Sequence, residues 1–393
     1  MATKAVRTSH FLAVSAAVAV ALSSAPASAG PREQAKQIHD RLTGVPPTAA
    51  VLDSMTAKVT AGDAVGAAMD AMNNPAFYNT TLRNFVTPWT NETQTAFADL
   101  NDYTATVIGM IRDNMPFNQV LSEDIVYVGA AGVVDPAYAQ TNNDHYIALE
   151  SERVDLSNPT LLVRRTQSGL PDSQLQPNDA AGVMTTRAFG EAFIKAGTNR
   201  RAWRFVSMNF LCRDLEPMND ITRPADRIRQ DISRSPGGDS SLYLNNCVGC
   251  HAGMDPLSGA FAYYEFDEEV GRVIYTPDSV QGKYLINAST FPQGYVTVDD
   301  SWINYWRAGP NAVLGWRGPN DRGNGAKTLG MEVTASRAFS ECQVEQVFTK
   351  ICLHPPATPQ DRAEVQRIAT VFEGNNYNMK RVFAETAAYC KGQ

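Results

Sequence analysis

The sequence predicts a mostly α-helical protein, built of helical, bundle-like domains with one small β-hairpin in its second half. Two patterns carry this. Apolar residues recur at helical spacing, with stop signals between them, across residues 31–128, 182–212 and 334–390. Runs of β-branched and aromatic residues split by turns are confined to residues 272–298.

Taken in order, the first elements end on clear signals. Residues 33–43 close at Gly44, with Pro46 and Pro47 beyond, as a helix and its terminus should. Thr48 then caps a second helix, on which Val51, Leu52, Met55 and Val59 fall at helical spacing. Residues 63–72 form a third. Residues 92–113 read as one long amphipathic helix. Pro116 and Phe117 start another turn ahead of an extended run at 125–128. Residues 129–180 are rich in Asn, Asp, Gln, Pro and Ser and read as a long irregular excursion.

Helix resumes near 182–196. Thr198 or Asn199 caps the next one, which runs to about Cys212 with Trp203, Val206 and Phe210 as its buried stripe. Residues 217–240 are linker-like, with three prolines and two adjacent glycines. A short helix spans 240–246, and the hairpin is expected within 272–298. Residues 303–329 read as a loop wrapping a site. Helices at 334–353, 360–373 and 378–390 complete the chain. The expected division is a signal segment 1–29, an N-terminal helical region 30–215 and a C-terminal helical domain 216–393.

With 34 basic and 41 acidic residues, the net charge is −7. That argues against nucleic acid and anionic membrane surfaces as partners and is compatible with a basic redox partner protein. Lys4 and Arg7, the apolar run 11–25 and Ala27-Ser28-Ala29 have the form of a cleavable signal peptide. The run is too short and too rich in Ala and Ser to make a good membrane anchor. Export to the periplasm is therefore expected. No later segment approaches twenty apolar residues, so no membrane span is expected in the mature chain.

The most specific local pattern is Cys247-Val248-Gly249-Cys250-His251. Two thiols at this spacing can each add to one vinyl group of a single porphyrin, and the following histidine then sits beneath the iron. The pattern predicts one covalent haem c, held by Cys247 and Cys250, with His251 as proximal iron ligand. The expected hairpin follows this motif in the chain. A C-x-x-C redox pair or half a zinc site is the alternative. No second C-x-x-C exists to complete a zinc site.

Four further cysteines suit an oxidising compartment. Cys342 and Cys352 fall on one predicted helix, roughly 15 Å apart and beyond disulfide reach. If the last three helices run up, down and up, the ends bearing Cys352 and Cys390 meet. Cys342 is then left for Cys212. Free buried thiols are the alternative.

The sixth iron ligand separates electron transfer from catalysis. Met254 follows His251 too closely to cross the porphyrin. Met331 ends the Gly-rich stretch 315–330 and is the first candidate, its alternative being a buried start to the 334–353 helix. His145, in the long excursion, is the second. His39 is expected on a solvated helix face and His354 at a helix C-terminus. Met184 and Met208 read as core. Arg272, Trp302, Tyr305, Trp306 and Arg307 could meet haem propionates or the ring edge, or could simply pack.

The haem segment continues through Met254-Asp255-Pro256-Leu257 and Gly259-Ala260 to Phe266-Asp267 and Gly271-Arg272. This block resembles that of the large planctomycete- and myxobacterial-type cytochrome c proteins built from modules of unknown function. Residues 41–48, 115–121, 182–185 with 199–200 and 211–212, and 338–342 resemble further segments of that family in the same order. Ser258 ahead of Gly259 departs from its pattern. The resemblance implies a predominantly helical periplasmic haem protein and supplies no reaction.

Three functions follow as expectations. The first is a periplasmic mono-haem electron carrier or electron-transfer subunit. The second is a haem enzyme of peroxidase or oxygenase type, since the chain far exceeds what one haem needs. The third is a docking subunit of an envelope redox complex.

Overall fold

The computed structural model describes residues 29–392. The expected signal segment therefore falls, but for Ala29, outside the described residues. Helices dominate, and the strands form three separate two-stranded antiparallel sheets.

Three helices open the described chain: α1 (Pro31–Thr43), α2 (Ala49–Thr60) and α3 (Ala64–Ala71). The Thr48 hydroxyl accepts from the Val51 N–H to start α2, and the Asp63 carboxylate accepts from Gly66 to start α3. Residues 77–90 continue as a π turn, the short α4 (Arg83–Val86) and a 3₁₀ turn, a helical stretch with no clear sequence periodicity.

The helix expected over 92–113 is only half present, as α5 (Asp102–Arg112), and it is buried on every side. Polar partners stop it. Asn101 caps it by accepting from the Thr104 N–H at 2.9 Å. Just upstream, the Arg83 guanidinium takes the carbonyls of Ala96 at 2.6 Å and Ala98 at 2.8 Å, and Glu150 accepts from the Leu100 N–H. Those backbone groups are satisfied outside a helix, so the chain does not extend the helical ladder.

The excursion at 129–180 holds more structure than its composition suggests. β1 (Val126–Gly129) pairs antiparallel with β2 (Leu162–Arg165), and α6 (Asp144–Ser151) lies between them in sequence. Beyond α7 (Arg187–Phe189) comes α8 (Arg200–Leu211), with Trp203, Val206 and Phe210 buried. Truncating any one of the two large aromatics would cost about 3–5 kcal/mol.

The short α9 (Ser240–Leu242) and a π turn lead into α10 (Val248–Ser258). The hairpin lies earlier than expected. β3 (Tyr264–Asp267) pairs with β4 (Arg272–Tyr275), and residues 276–298 hold no strand. β5 (Ser301–Ile303) and β6 (Arg322–Asn324) form the third pair. The last helices are α11 (Gly325–Thr334), α12 (Arg337–Cys352), α13 (Pro359–Gly374) and α14 (Met379–Tyr389).

One buried cluster runs from Ala35 of α1 to Cys390, drawing on residues before and after position 215. α14 packs on α3 and α1, and α12 packs on α8. Disulfides join Cys212 to Cys342, with Cα atoms 5.3 Å apart, and Cys352 to Cys390, at 5.5 Å. Cys342 and Cys352 do lie on one helix, and each bonds to a different part of the chain. No helix of the described residues is long and apolar enough to cross a membrane.

Candidate functional site

Cys247 caps α10, and Cys250 and His251 occupy its first turn. Both thiols are unpaired and partly exposed. The Cys250 thiol donates to the Leu215 carbonyl at 3.4 Å, and burial pushes its pKa up, helped by Cys247, Glu216 and Asp214. Glycine is required at two positions of this helix. A Cβ at Gly249 would lie 1.6 Å from Asn219 Oδ1, and one at Gly253 would lie 2.0 Å from the Trp306 ring. The first lets the 219–220 segment approach, where the Asp220 N–H donates to the Gly249 carbonyl at 3.1 Å. The second seats the buried Trp306 indole against the helix.

His251 does not stand alone. Its Nδ1 lies 3.0 Å from Oδ1 of Asp255, one turn along α10. The Asp255 side chain is fully buried. Arg200, from the first turn of α8, grips it with two hydrogen bonds, Nε to Oδ1 at 2.6 Å and Nη2 to Oδ2 at 2.8 Å. The same guanidinium bonds Asp231 twice, at 2.6 and 2.8 Å. The backbone N–H of Arg229 also donates to Asp255 Oδ2 at 3.1 Å, and its guanidinium lies over the Tyr284 ring. Burial alone would raise the Asp255 pKa. Arg200, then His251 and Arg229, outweigh it and hold the carboxyl well below the usual carboxylate range.

An ionised carboxylate only accepts hydrogen bonds, so Nδ1 of His251 is the donor. In the neutral ring the lone pair then sits on Nε2, which has no hydrogen-bond partner among the described residues. A buried acceptor that fixes one imidazole nitrogen and leaves the other free is the arrangement typical of metal-bound histidines.

The surface near the two thiols is mixed: Asn245, Asn246 and Glu216 are exposed, and so are two large apolar side chains. Leu244, just before Cys247, is 57% exposed, and Ile221, in the segment held to Gly249, is 65% exposed. Two free thiols at one helix end and a pre-oriented imidazole beside them are the donors that a c-type haem would require. Among the described residues no group of three or more His, Cys, Asp or Glu stands ready to hold a bare metal ion.

The two candidates for a sixth iron ligand, Met331 and His145, lie on α11 and α6. Met331 is not in a loop but in the second half of α11, 40% exposed, with Leu329 and Val333 turned inward instead. It lines a surface groove with Asn118, Gln119, Arg317 and Tyr377, and no residue of 247–251 lines that groove. His145 is buried in α6. Its Nε2 accepts from the Gly129 N–H at 2.9 Å, and its Nδ1 bonds the Pro136 carbonyl at 2.9 Å. Both ring nitrogens are therefore spent holding the 129–136 loop.

His39 was expected in solvent but is buried. Its Nδ1 bonds the Val45 carbonyl, and burial pushes its pKa down. His354 is exposed beyond α12. Of the five residues suggested for the ring edge, Trp306 lies against α10 at Gly253, and β5, which carries Trp302, packs on the same helix. Trp302 donates to Thr328, Tyr305 bonds Asp226, Arg307 pairs with Glu332, and Arg272 donates to the Asp172 carbonyl.

Sequence reasoning missed Asp255, Arg200 and Arg229 as parts of the site. The His251–Asp255 spacing of four on a helix was a usable signal, since such residues face each other. Arg200, 51 positions before His251, entered only as part of the 199–200 segment of the resemblance, with no role attached. Residues 217–240 looked like a linker, yet they deliver Asp220, Arg229 and Asp231 to the site. No family model matches the chain, and no curated protein and no solved structure shows significant similarity to it.

Proposed function

We propose that the chain is a periplasmic mono-haem c-type cytochrome that carries electrons, alone or as a subunit of an envelope redox complex. The observation that carries this reading is the His251–Asp255–Arg200 chain of hydrogen bonds behind the two free thiols. A thiol redox pair alone would have no use for a buried network dedicated to the neighbouring histidine; a zinc-bound histidine would use one, but among the described residues no group of three His, Cys, Asp or Glu is gathered to hold a bare ion. In this reading Cys247 and Cys250 hold haem through thioether bonds and His251 Nε2 faces the iron. Haem bound there supplies a one-electron iron couple. Asp255 keeps the imidazole in one tautomer and orientation, and Arg200 keeps Asp255 charged. The signal-like N-terminus and the resemblance to large planctomycete- and myxobacterial-type cytochromes belong to the same proposal.

Expression with export and a cytochrome c maturation system tests it. The expected result is haem that survives acid–acetone extraction, one per chain by pyridine haemochrome, and loss of that haem in Cys250→Ala. Exported, folded protein without covalent haem would refute the reading.

A haem enzyme of peroxidase or oxygenase type is the second reading, and Asp255 favours it. A carboxylate on the proximal imidazole makes the ligand more basic and stabilises oxidised iron. Carbon monoxide and cyanide binding separate the two: a ligand-accessible iron supports the enzyme, and a Soret band indifferent to both supports the closed carrier.

A further inference from the structure

A cleft of about 840 Å³ opens between the end of α1, residues 80–89 and one face of α12. Its size falls in the range of small-molecule sites. Phe85 and Trp89, packed edge to face with ring centroids 5.0 Å apart, form part of its wall. The rest of the wall includes the charged residues Asp40, Arg41, Glu345 and Lys350, with Leu353 beside them.

Two features of this cleft have no use in the fold already described. The first is Lys350. It lines the cleft near the end of α12, is half buried, and has no hydrogen bond or ion pair among the described residues. Burial pushes its ammonium pKa down, so its charge is held there at a cost. The two acids of the lining are Asp40, whose Oδ2 pairs with Lys36 while its Oδ1 has no partner, and Glu345. The second feature is Leu353. It sits at the C-cap of α12 with φ of 65°, a left-handed position that glycine usually fills, and it is 74% exposed at the cleft. A large apolar side chain is thus held out over the cleft in an unfavourable backbone conformation.

We infer that this cleft binds a small amphipathic carboxylate, with its apolar body against Phe85, Trp89 and Leu353 and its head group on Lys350. An anion gives the unpaired ammonium the partner it lacks, and an alkyl or aryl body covers the leucine. The inference does not depend on haem.

Calorimetric titration of the purified full chain with sodium octanoate, octan-1-ol and octyltrimethylammonium tests it. Octanoate should bind at one site, the alcohol more weakly, and the ammonium least. Lys350→Gln should weaken octanoate about tenfold or more while leaving the alcohol nearly unchanged. Leu353→Ser, at an exposed position where folding is not at stake, should weaken octanoate and the alcohol alike. Lack of saturable octanoate binding would overturn the inference. So would equal affinity for all three probes, or a Lys350→Gln variant that keeps the wild-type octanoate affinity. Because none of these readouts involves iron, the cleft and the cytochrome reading fail or stand separately.

Discussion

Arg200 and Asp255 meet in a two-point contact, with both guanidinium–carboxylate hydrogen bonds under 3 Å and the carboxylate fully buried. Arg200 extends the same grip to Asp231. The strand of charge behind His251 is therefore an acid between cations, and an arginine between acids. Breaking it at one member leaves the others buried without compensation.

Asp255→Asn is the sharpest way to break it. The amide keeps the shape but removes the charge facing Arg200, Arg229 and His251. The loss should be about 3–5 kcal/mol, read as a fall in the urea midpoint at unchanged slope. In protein carrying haem, the same variant should raise the midpoint potential, because a negative charge behind the proximal imidazole favours ferric iron. A stability loss under 1 kcal/mol would mean the network is not carrying the site.

The C-terminal helices predict an acid limb to the stability curve. Glu385 of α14 receives Arg367 at 2.7 Å and Arg381 at 2.8 Å. Burial would raise its pKa, but the two arginines outweigh it and leave it depressed. A depressed acid contributes its full stabilisation above the unfolded glutamate value of about 4.3 and loses it as pH falls toward the folded value. Stability should therefore drop below about pH 4.3, and Glu385→Gln should flatten that drop while lowering the plateau at neutral pH. Urea titrations at pH 3, 4, 5 and 7 would show it; an unchanged acid limb in the variant would assign the effect to other carboxylates.

The two disulfides should differ in worth. Cys212–Cys342 closes a separation of 130 residues and Cys352–Cys390 one of 38. Chain entropy gives the longer loop about 1 kcal/mol more stabilisation, on a base of about 4 kcal/mol for the shorter. Double serine variants of each pair, compared by chemical unfolding, test the order. A larger loss from the shorter loop would show that packing of α12 against α14 dominates over loop entropy.

How far the sequence reached depends on whether the signal is local. Gly44, Thr48 and Asp63 mark helix ends by short-range chemistry, and those ends stand where expected. The half-missing helix before Asp102 was lost because Arg83 and Glu150 compete for its backbone from 13 to 50 positions away, which no periodicity reports. The C-x-x-C-H pattern can be read from the sequence because its residues are contiguous. Its support cannot, since Arg200 and Asp231 arrive through tertiary packing. The Gly-rich stretch 315–330, read as a loop, differs for a related reason: its glycines suggest open backbone, but from Gly325 on the chain closes into α11.

That difference yields the last prediction, on Met331 and His145. From sequence, Met331→Ala should have stripped a ligand from iron, and His145 was next in line. In the structure Met331 is on the outer side of α11, 40% exposed at a surface groove, so its loss leaves no buried cavity. Met331→Ala should change stability by less than about 1 kcal/mol and leave the haem spectrum and potential as they were. His145→Ala should behave in the opposite way. It orphans the buried Gly129 N–H and the Pro136 carbonyl, at a cost of about 2 kcal/mol or more, while also leaving the spectrum of the folded protein unchanged. The pair of variants therefore separates the two properties that sequence reasoning had joined. A shifted Soret band in Met331→Ala would mean that α11 rearranges when haem is attached, and would restore Met331 as the sixth ligand.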